Sequence, residues 1–467
     1  MLTAAARAFK TPDLRKKILF TLLVMAIFRL GSHIPTPGIS FKLIQACQKG
    51  AGSNQSFLGL ANLFSGGALL QLSVFALGIM PYITASIIVQ LLTVVIPRFE
   101  ELKKEGQSGQ TKMTQYTRYL TIGLALLQSA TLVTAAKANP STLLGGDSST
   151  CPTIMPNQGV FYLIIMVLVL TAGTGLIMWL GEQITERGIG NGMSLLILTA
   201  VAARVPGSVW AIHDQGWGKF LLVVVMGLVV TVAVVFVENS QRRIPVQYAK
   251  RMVGRRMYGG MSTYLPLKVN MANVIPIIFA TSLLSLPVLL AGFAQPSDRS
   301  KPAAGWAQWV LNNLNRGDHW SYMLLSTVLV VFFTFFYVSI TYQPEEVADN
   351  LKSAGSFIPG VRAGKATADY LNYVLTRITV VGAVYLGVLA LIPLIALAMV
   401  GANSNFPFGG ASILILVGVG LETVKQVDSK LQQHHYEGFL RSDEPGAKSK
   451  PKASKAAKKE QTAGGRV

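Results

Sequence analysis

Charge is what this sequence has least of. Only 13% of its 467 residues are Asp, Glu, Lys or Arg and 51% are hydrophobic, a charged share about half that of an ordinary soluble domain. A water-soluble globule cannot hide that much apolar surface. Acid is scarcer still, with 21 Asp and Glu against 41 Lys and Arg. None of the acids falls near the centre of a long apolar block, where secondary transporters and proton pumps usually keep a costly ionisable group. The carboxylates closest to such blocks, Glu182, Glu238 and Glu422, sit toward block ends. The two cysteines, Cys47 and Cys151, fit no zinc or iron–sulfur spacing. The five histidines, His33, His213, His319, His434 and His435, lie in loops or flanks without partners at ligand or triad spacing. Gly188 to Gly192 reads GIGNG, but no strand precedes it and no Gly-Lys-Ser/Thr follows, so it is a tight interhelical turn rather than a phosphate loop. The chain does not read as an enzyme, and neither cofactor nor metal is expected.

What is present is a series of apolar blocks long enough to cross a bilayer, which takes about 20 residues of helix. They lie at about 18–34, 72–96, 119–136, 160–180, 192–205, 220–237, 272–293, 322–341, 378–400 and 406–421. The first and fifth are short, and each alone is also compatible with an interfacial or re-entrant segment. The class expected is an all-α polytopic membrane protein of ten transmembrane helices, five on either side of the loop at 206–219. Residues 1–205 form the N-terminal half, 206–440 the C-terminal half and 441–467 a basic tail. That tail has almost nothing apolar to bury, so disorder is expected. Arg15, Lys16 and Lys17 before an apolar run imitate a signal peptide, but no small-x-small site follows, so the run is expected to stay as the first span. Pro81, Pro276, Pro287 and Pro393 fall inside predicted spans, where they free carbonyls and permit kinks.

Ten spans put both termini on one side, and that side collects 32 of the 41 Lys and Arg. The opposite loops hold 7, and Arg29 and Arg204 lie within spans near that opposite face. The positive-inside rule makes both termini cytoplasmic. Cys47 and Cys151 then fall in extracytoplasmic loops, where oxidation is available. A Cys47–Cys151 bridge is one reading and two free thiols the other, and a gel with and without reductant separates them.

Segment 57–71, FLGLANLFSGGALLQ, is apolar but too short to span, and Gly66 with Gly67 interrupts a regular helix. It reads as a short helix folded back into the protein, where irregular backbone at membrane depth is tolerated. A helix lying on the membrane surface is the other reading. Loop 238–271 carries Arg242, Arg243, Lys250, Arg251, Arg255, Arg256 and Lys268 with almost no acid. Ile244, Val246, Tyr248 and Tyr258 are interleaved, which predicts a folded hairpin. Such arginine pairs suit phosphates or acidic protein surfaces, although positive-inside retention and lipid headgroups also account for them. Loop 342–377 places Arg362 and Lys365 at a Pro-Gly and Ala-Gly tip, an exposed turn.

These two loops, YAKRMVGRRMYGGMSTYLPLKVNMANVIP and GSFIPGVRAGKATADYL, resemble the large cytoplasmic loops of the SecY family. NLFSGGALLQLSVFALGIMPYITASIIVQLLTVV, KKEGQSGQTKMTQYTRY, LGEQITERGIGNGMSLLI and GGASILILVGVGLETVKQVDS resemble family segments in the same order, from about 8 to 440. The resemblance implies two five-helix halves, an inverted pseudo-repeat, closing like a clamshell on an hourglass pore with a short re-entrant plug helix. Unfolded secretory polypeptides would cross the pore, and membrane segments would leave sideways between the second and seventh spans. It implies as partners SecE-type and SecG-type small subunits, the SecA motor ATPase, the ribosome through its RNA, signal peptides and preproteins, in a bacterial cytoplasmic membrane and its lipids. A membrane insertase or scaffold without a pore remains an alternative, as does the secondary transporter.

Position by position, the resemblance makes Ile79, Ile83, Met193, Ile197, Ile278 and Ile415 the ring that constricts the pore. An apolar ring fits around many peptides and disfavours a water wire. Met193 departs from the isoleucine the family leads one to expect, though a flexible thioether suits a gasket. Phe64, Ser65, Gly66 and Gly67 match the plug. Thr84, Gln128 and Ser282 match polar positions of the lateral gate. Arg255, Arg256 and Arg362 match the arginines that dock SecA and the ribosome.

Overall fold

A computed structural model describes residues 11–44, 65–138, 159–213, 216–248, 251–253, 256–258, 262–293, 305–314, 319–400 and 410–442. In chain order they form α1 (Pro12–Gly31), α2 (Met80–Val95), α3 (Pro97–Lys104), α4 (Gln107–Ala138), α5 (Val160–Arg187), α6 (Gly192–His213) and α7 (Trp217–Asn239). Strands β1 (Gln241–Tyr248), β2 (Arg251–Val253), β3 (Arg256–Tyr258) and β4 (Ser262–Lys268) follow. The chain continues with α8 (Ile275–Phe293), α9 (Gly305–Asn313), α10 (Trp320–Thr341), α11 (Pro344–Ser353), β5 (Ser356–Phe357), α12 (Lys365–Val400) and α13 (Gly410–Ser442). Cys47, Cys151, Phe64, Arg255 and the tail from 443 lie outside the described residues.

A helix overlaps each of the ten apolar stretches. Five of these helices, α4, α5, α7, α10 and α12, are long and apolar enough to cross a membrane, and α2 with α3, bent by 101°, makes a sixth if the pair is one span. α7 shows what such a helix faces. Leu221, Val225, Leu228, Val232 and Phe236 are exposed while Val223, Val230 and Val234 are buried. A helix apolar on both its inner and its outer side has lipid, not water, as its outer solvent.

The second apolar stretch departs from expectation at its start. Its helix begins at Met80, not near 72, and Ser65–Ile79 is a succession of turns. Ser65 to Gln71 is therefore not the short helix predicted for 57–71. The reason is local: Gly66, Gly67, Leu72 and Gly78 take left-handed φ of 67°, 95°, 45° and 58°, each incompatible with a continuing right-handed helix. Pro81 lacks an N–H and fits the first turn of α2, where no donor is needed. The irregular backbone finds its hydrogen bonds elsewhere. Thr36 donates through Oγ1 to the Leu72 carbonyl at 2.6 Å, and Val74 N–H donates to the Ile34 carbonyl at 2.9 Å.

The helices pack as two sets. α1, α2, α4, α5 and α6 pack among themselves, as do α7, α8, α10, α12 and α13, and the sets meet mainly through α6 against α13 and α7. α5 and α6 are joined by the tight turn at Gly188–Asn191. The Asn191 side-chain oxygen accepts from Met193 N–H at 3.1 Å, capping α6.

On the side of the basic loops, β1 pairs antiparallel with β4, Ile244 opposite Leu265, and β2 pairs with β3 to extend the hairpin. The other edge of β1 takes β5, from the second loop, with Gln247 opposite Phe357. Ile244, Val246, Leu267, Ile358, Leu371 and Val374 form a small core beneath this sheet. The two loops are one folded unit. Three helices are longer than the bilayer is deep. α4, α12 and α13 have 32, 36 and 33 residues, or about 48, 54 and 50 Å at 1.5 Å per residue, against about 30 Å of hydrocarbon.

Candidate functional site: an apolar girdle and a basic platform

Ile79 ends the irregular segment and Ile83 follows one turn into α2, with the Ile83 N–H donating to the Ile79 carbonyl at 3.1 Å. That spacing puts both on one helix face, and Met193 and Ile197 repeat it on α6. Ile278 comes from α8 and Ile415 from α13. Five of the six are buried in a single apolar cluster, and Ile83 packs against it half-buried. Residues more than 300 positions apart in sequence thus share one large apolar cluster with many others from both helix sets. Met193 has a specific seat: a Cβ on Gly181 would lie 2.3 Å from its sulfur, so the thioether occupies room that a side chain on α5 would take.

The irregular segment contributes to the same cluster, through Ala68 and Phe75. Phe75 stacks on Phe28 of α1 with ring centroids 5.9 Å apart, and Gly31 leaves the room the Phe75 ring fills. Ser65, fully buried, accepts through Oγ from Leu69 N–H at 3.1 Å. Gly66 and Gly67 follow at the end of α1 and α6 remote from the basic loops.

The three polar positions matched to a gate are spread over α2, α4 and α8. Thr84 donates to the Met80 carbonyl of its own helix at 2.9 Å. Neither its side chain nor that of Gln128 makes a hydrogen bond to another helix among the described residues. Ser282 is half-buried on α8.

On the basic side Arg362 is exposed at the turn after β5. Its carbonyl accepts from Thr367 Oγ1 at 2.8 Å, which ties the turn to the start of α12. Arg256 lies in β3 of the neighbouring hairpin. Arg242, Arg243, Lys268, Lys352 and Arg377 are exposed on the same unit. The Arg243 guanidinium lies 4.8 Å from the Tyr264 ring centroid and that of Arg377 5.4 Å from Tyr373, so both heads are held by aromatic faces. Below the platform, Lys17 of α1 faces Lys430 of α13, whose amine pKa is lowered by burial and by that neighbouring charge.

Two polar ties have no counterpart in the sequence reading. Arg118 of α4 donates through Nε and Nη2 to both carboxylate oxygens of Glu182 on α5, at 2.8 Å each. Glu238, buried at the end of α7, accepts from Asn270 Nδ2 at 2.7 Å. Glu238 also lines a small cavity with Lys268, Asn273, Glu422 and Lys425. The signal for the first was available: one Arg and one Glu at matching ends of consecutive apolar helices. Asn270 carried none, since an asparagine after a strand reads as a turn residue.

Two helix sets that share one apolar cluster, with a basic folded platform on one side and apolar helices long enough to cross a bilayer, define a polytopic α-helical membrane protein. The family model described as SecY matches residues 73–424, and the chain belongs to the SecY family. It is 60% identical to the protein translocase subunit SecY of Streptomyces galbus over 446 residues, 94% of this chain and all of that protein. It is 54% identical to the subunit of the same name from Mycobacterium bovis, with the same coverage. Among solved structures, a protein-conducting channel matches with a TM-score of 0.60 at 18% identity, covering 92% of this chain and 94% of that one. Sec61 in a canine ribosome–channel complex from the endoplasmic reticulum matches with a TM-score of 0.56 at 17% identity, over 92% and 94%.

Proposed function

We propose that this chain is the pore subunit of a bacterial Sec translocase, passing unfolded secretory polypeptides through a girdle of the six matched apolar residues and releasing membrane segments sideways between α2 and α8. The observation that carries this is that five of the six matched positions are buried in the one apolar cluster to which both helix sets contribute, with Ile83 packed against it. An apolar constriction of this kind conducts by wetting and seals by dewetting, and it needs no binding chemistry for any one substrate. Ten helices cross the membrane, residues 1–205 and 206–440 are the two halves of the clamshell, and both termini are cytoplasmic. The relatives are named as translocase subunits, which supports carrying that role over.

Segment 57–71 is the plug, with Phe64, Ser65, Gly66 and Gly67 its moving part, and Thr84, Gln128 and Ser282 line the lateral gate. SecE-type and SecG-type subunits surround the chain in the lipid, and SecA and the ribosome bind the platform through Arg255, Arg256 and Arg362. A channel has no chemistry of its own, so the work comes from nucleotide hydrolysis by the motor, from synthesis by the ribosome or from the membrane potential. Deleting residues 60–70 and recording in a planar bilayer tests the reading. Resting conductance is expected to rise well above that of the intact chain; an unchanged, sealed membrane would sink the plug and weaken the pore with it.

A further inference from the structure

Two half-buried cations, Arg29 and Arg204, lie beside the irregular segment, at the end of the bundle remote from the basic loops, and the proposed function gives them no role. Arg29, in the last turn of α1, donates through Nη1 to the Gly66 carbonyl at 3.1 Å. Arg204 of α6 approaches from the other side: a Cβ on Gly67 would lie 3.0 Å from its Nη1. The same construction on Gly66 meets Arg29 Nη1 and the Ala200 backbone, both at 3.2 Å. The two guanidiniums are near enough to repel one another. Bringing two like charges together inside a membrane protein is costly, so their shared position on one Gly-Gly turn calls for a compensating contact.

That turn supplies one. With φ of 67° and 95°, Gly66 and Gly67 bend the backbone in a way L side chains resist, and the bend brings the Gly66 carbonyl to Arg29. The anchor behind Arg29 is firm, because its own carbonyl accepts from Ser32 Oγ at 2.7 Å. A guanidinium is a rigid planar fork that keeps its charge at any ordinary pH, and hydrogen bonds from a charged donor are the stronger kind.

We infer that Arg29 and Arg204 form a clasp that holds the Gly66–Gly67 turn against the girdle, so that the channel opens only when the clasp lets go. This rests on the proposed reading of segment 57–71 as the plug. Both arginines are positioning residues: they touch the segment, not the passing polypeptide. The consequence is a resting seal whose strength is set at the far mouth of the channel, by contacts that a cytoplasmic partner does not reach directly.

The test is resting ion conductance of the full chain, reconstituted with its small subunits in planar bilayers. Losing one charged hydrogen bond should raise the open fraction about tenfold or more, so Arg29→Met is expected to leak about tenfold above wild type. Arg29→Lys, which keeps the charge but not the fork, should fall between them, and Arg204→Met should behave as Arg29→Met does. The 60–70 deletion separates the two ideas. If the deletion leaks and Arg29→Met seals as wild type does, the clasp is wrong and the plug stands. If the deletion itself seals, the plug reading fails and the clasp goes with it. A leak caused by misfolding is recognised by combining the two changes: the clasp requires that Arg29→Met add nothing once the segment is gone, and an additive leak overturns it.

Discussion

At the scale of single residues, the crossing of α5 and α6 rests on two glycines that do unequal work. A Cβ on Gly192 would lie 1.9 Å from the Gly181 carbonyl oxygen, and one on Gly181 would lie 2.3 Å from the Met193 sulfur. The first collision is with backbone, so the helices must separate. The second is with the far end of an unbranched side chain that can turn aside. Gly192→Ala is therefore expected to lower stability by about 1–3 kcal/mol and Gly181→Ala by clearly less, read as midpoints of thermal unfolding in detergent. Equal losses would mean that the contact is not rigid. The resemblance marked Met193 only as a departure from isoleucine, and its seat over Gly181 supplies the physical reason. Sequence identified GIGNG as a turn from the residues alone. It had no means of pairing Gly181 with Gly192, because close approach is a property of two helices together.

At the scale of elements, what was legible depended on how local the cause was. The apolar blocks located the helices because each is set by its own composition. Alternation in the first basic loop predicted its hairpin, and β1 with β4 forms it. The pairing of β1 with β5 joins residues about a hundred positions apart and left no trace in either segment. The late start of α2 was written in Gly78 and Pro81 but was outweighed by the unbroken apolar run around them. The joined platform bears on docking. Arg362 sits on a turn fixed to α12 by Thr367 and to β1 through β5, so its guanidinium is presented by a rigid support, not a loose loop. Arg362→Glu reverses one charge on that support without touching the small core below it. SecA-driven export of a preprotein into proteoliposomes is expected to fall to background, while the amount of inserted chain stays that of wild type. Undiminished export by this variant would remove Arg362 from the docking surface.

At the scale of the whole molecule, the girdle belongs to neither helix set alone. Its residues come from α2 and α6 on one side and from α8 and α13 on the other, and the sets join mainly along α6, α7 and α13. Taken singly, five of the six are ordinary buried apolar residues and Ile83 is half-buried among them, which is why composition and spacing did not single them out and only the resemblance did. On the proposed reading, their common cluster gives a property none has alone, a dry barrier whose height depends on how many apolar faces close it. Ile278 is the informative member, since α8 has its main contacts on α9 and α10 rather than across the girdle. Replacing it with Asn puts a group into the ring that holds water by hydrogen bonds, and burying such a group dry costs about 1–3 kcal/mol. Water should therefore enter the ring. Ile278→Asn is expected to raise the resting conductance of reconstituted channels and to shorten their closed times, while Ile278→Leu, similar in volume and still apolar, should stay as tight as wild type. If Asn and Leu leak alike, the seal is a matter of shape rather than dryness. If neither leaks, the segment at Gly66 and Gly67 closes the channel without help from the girdle, and the barrier must be assigned to it alone.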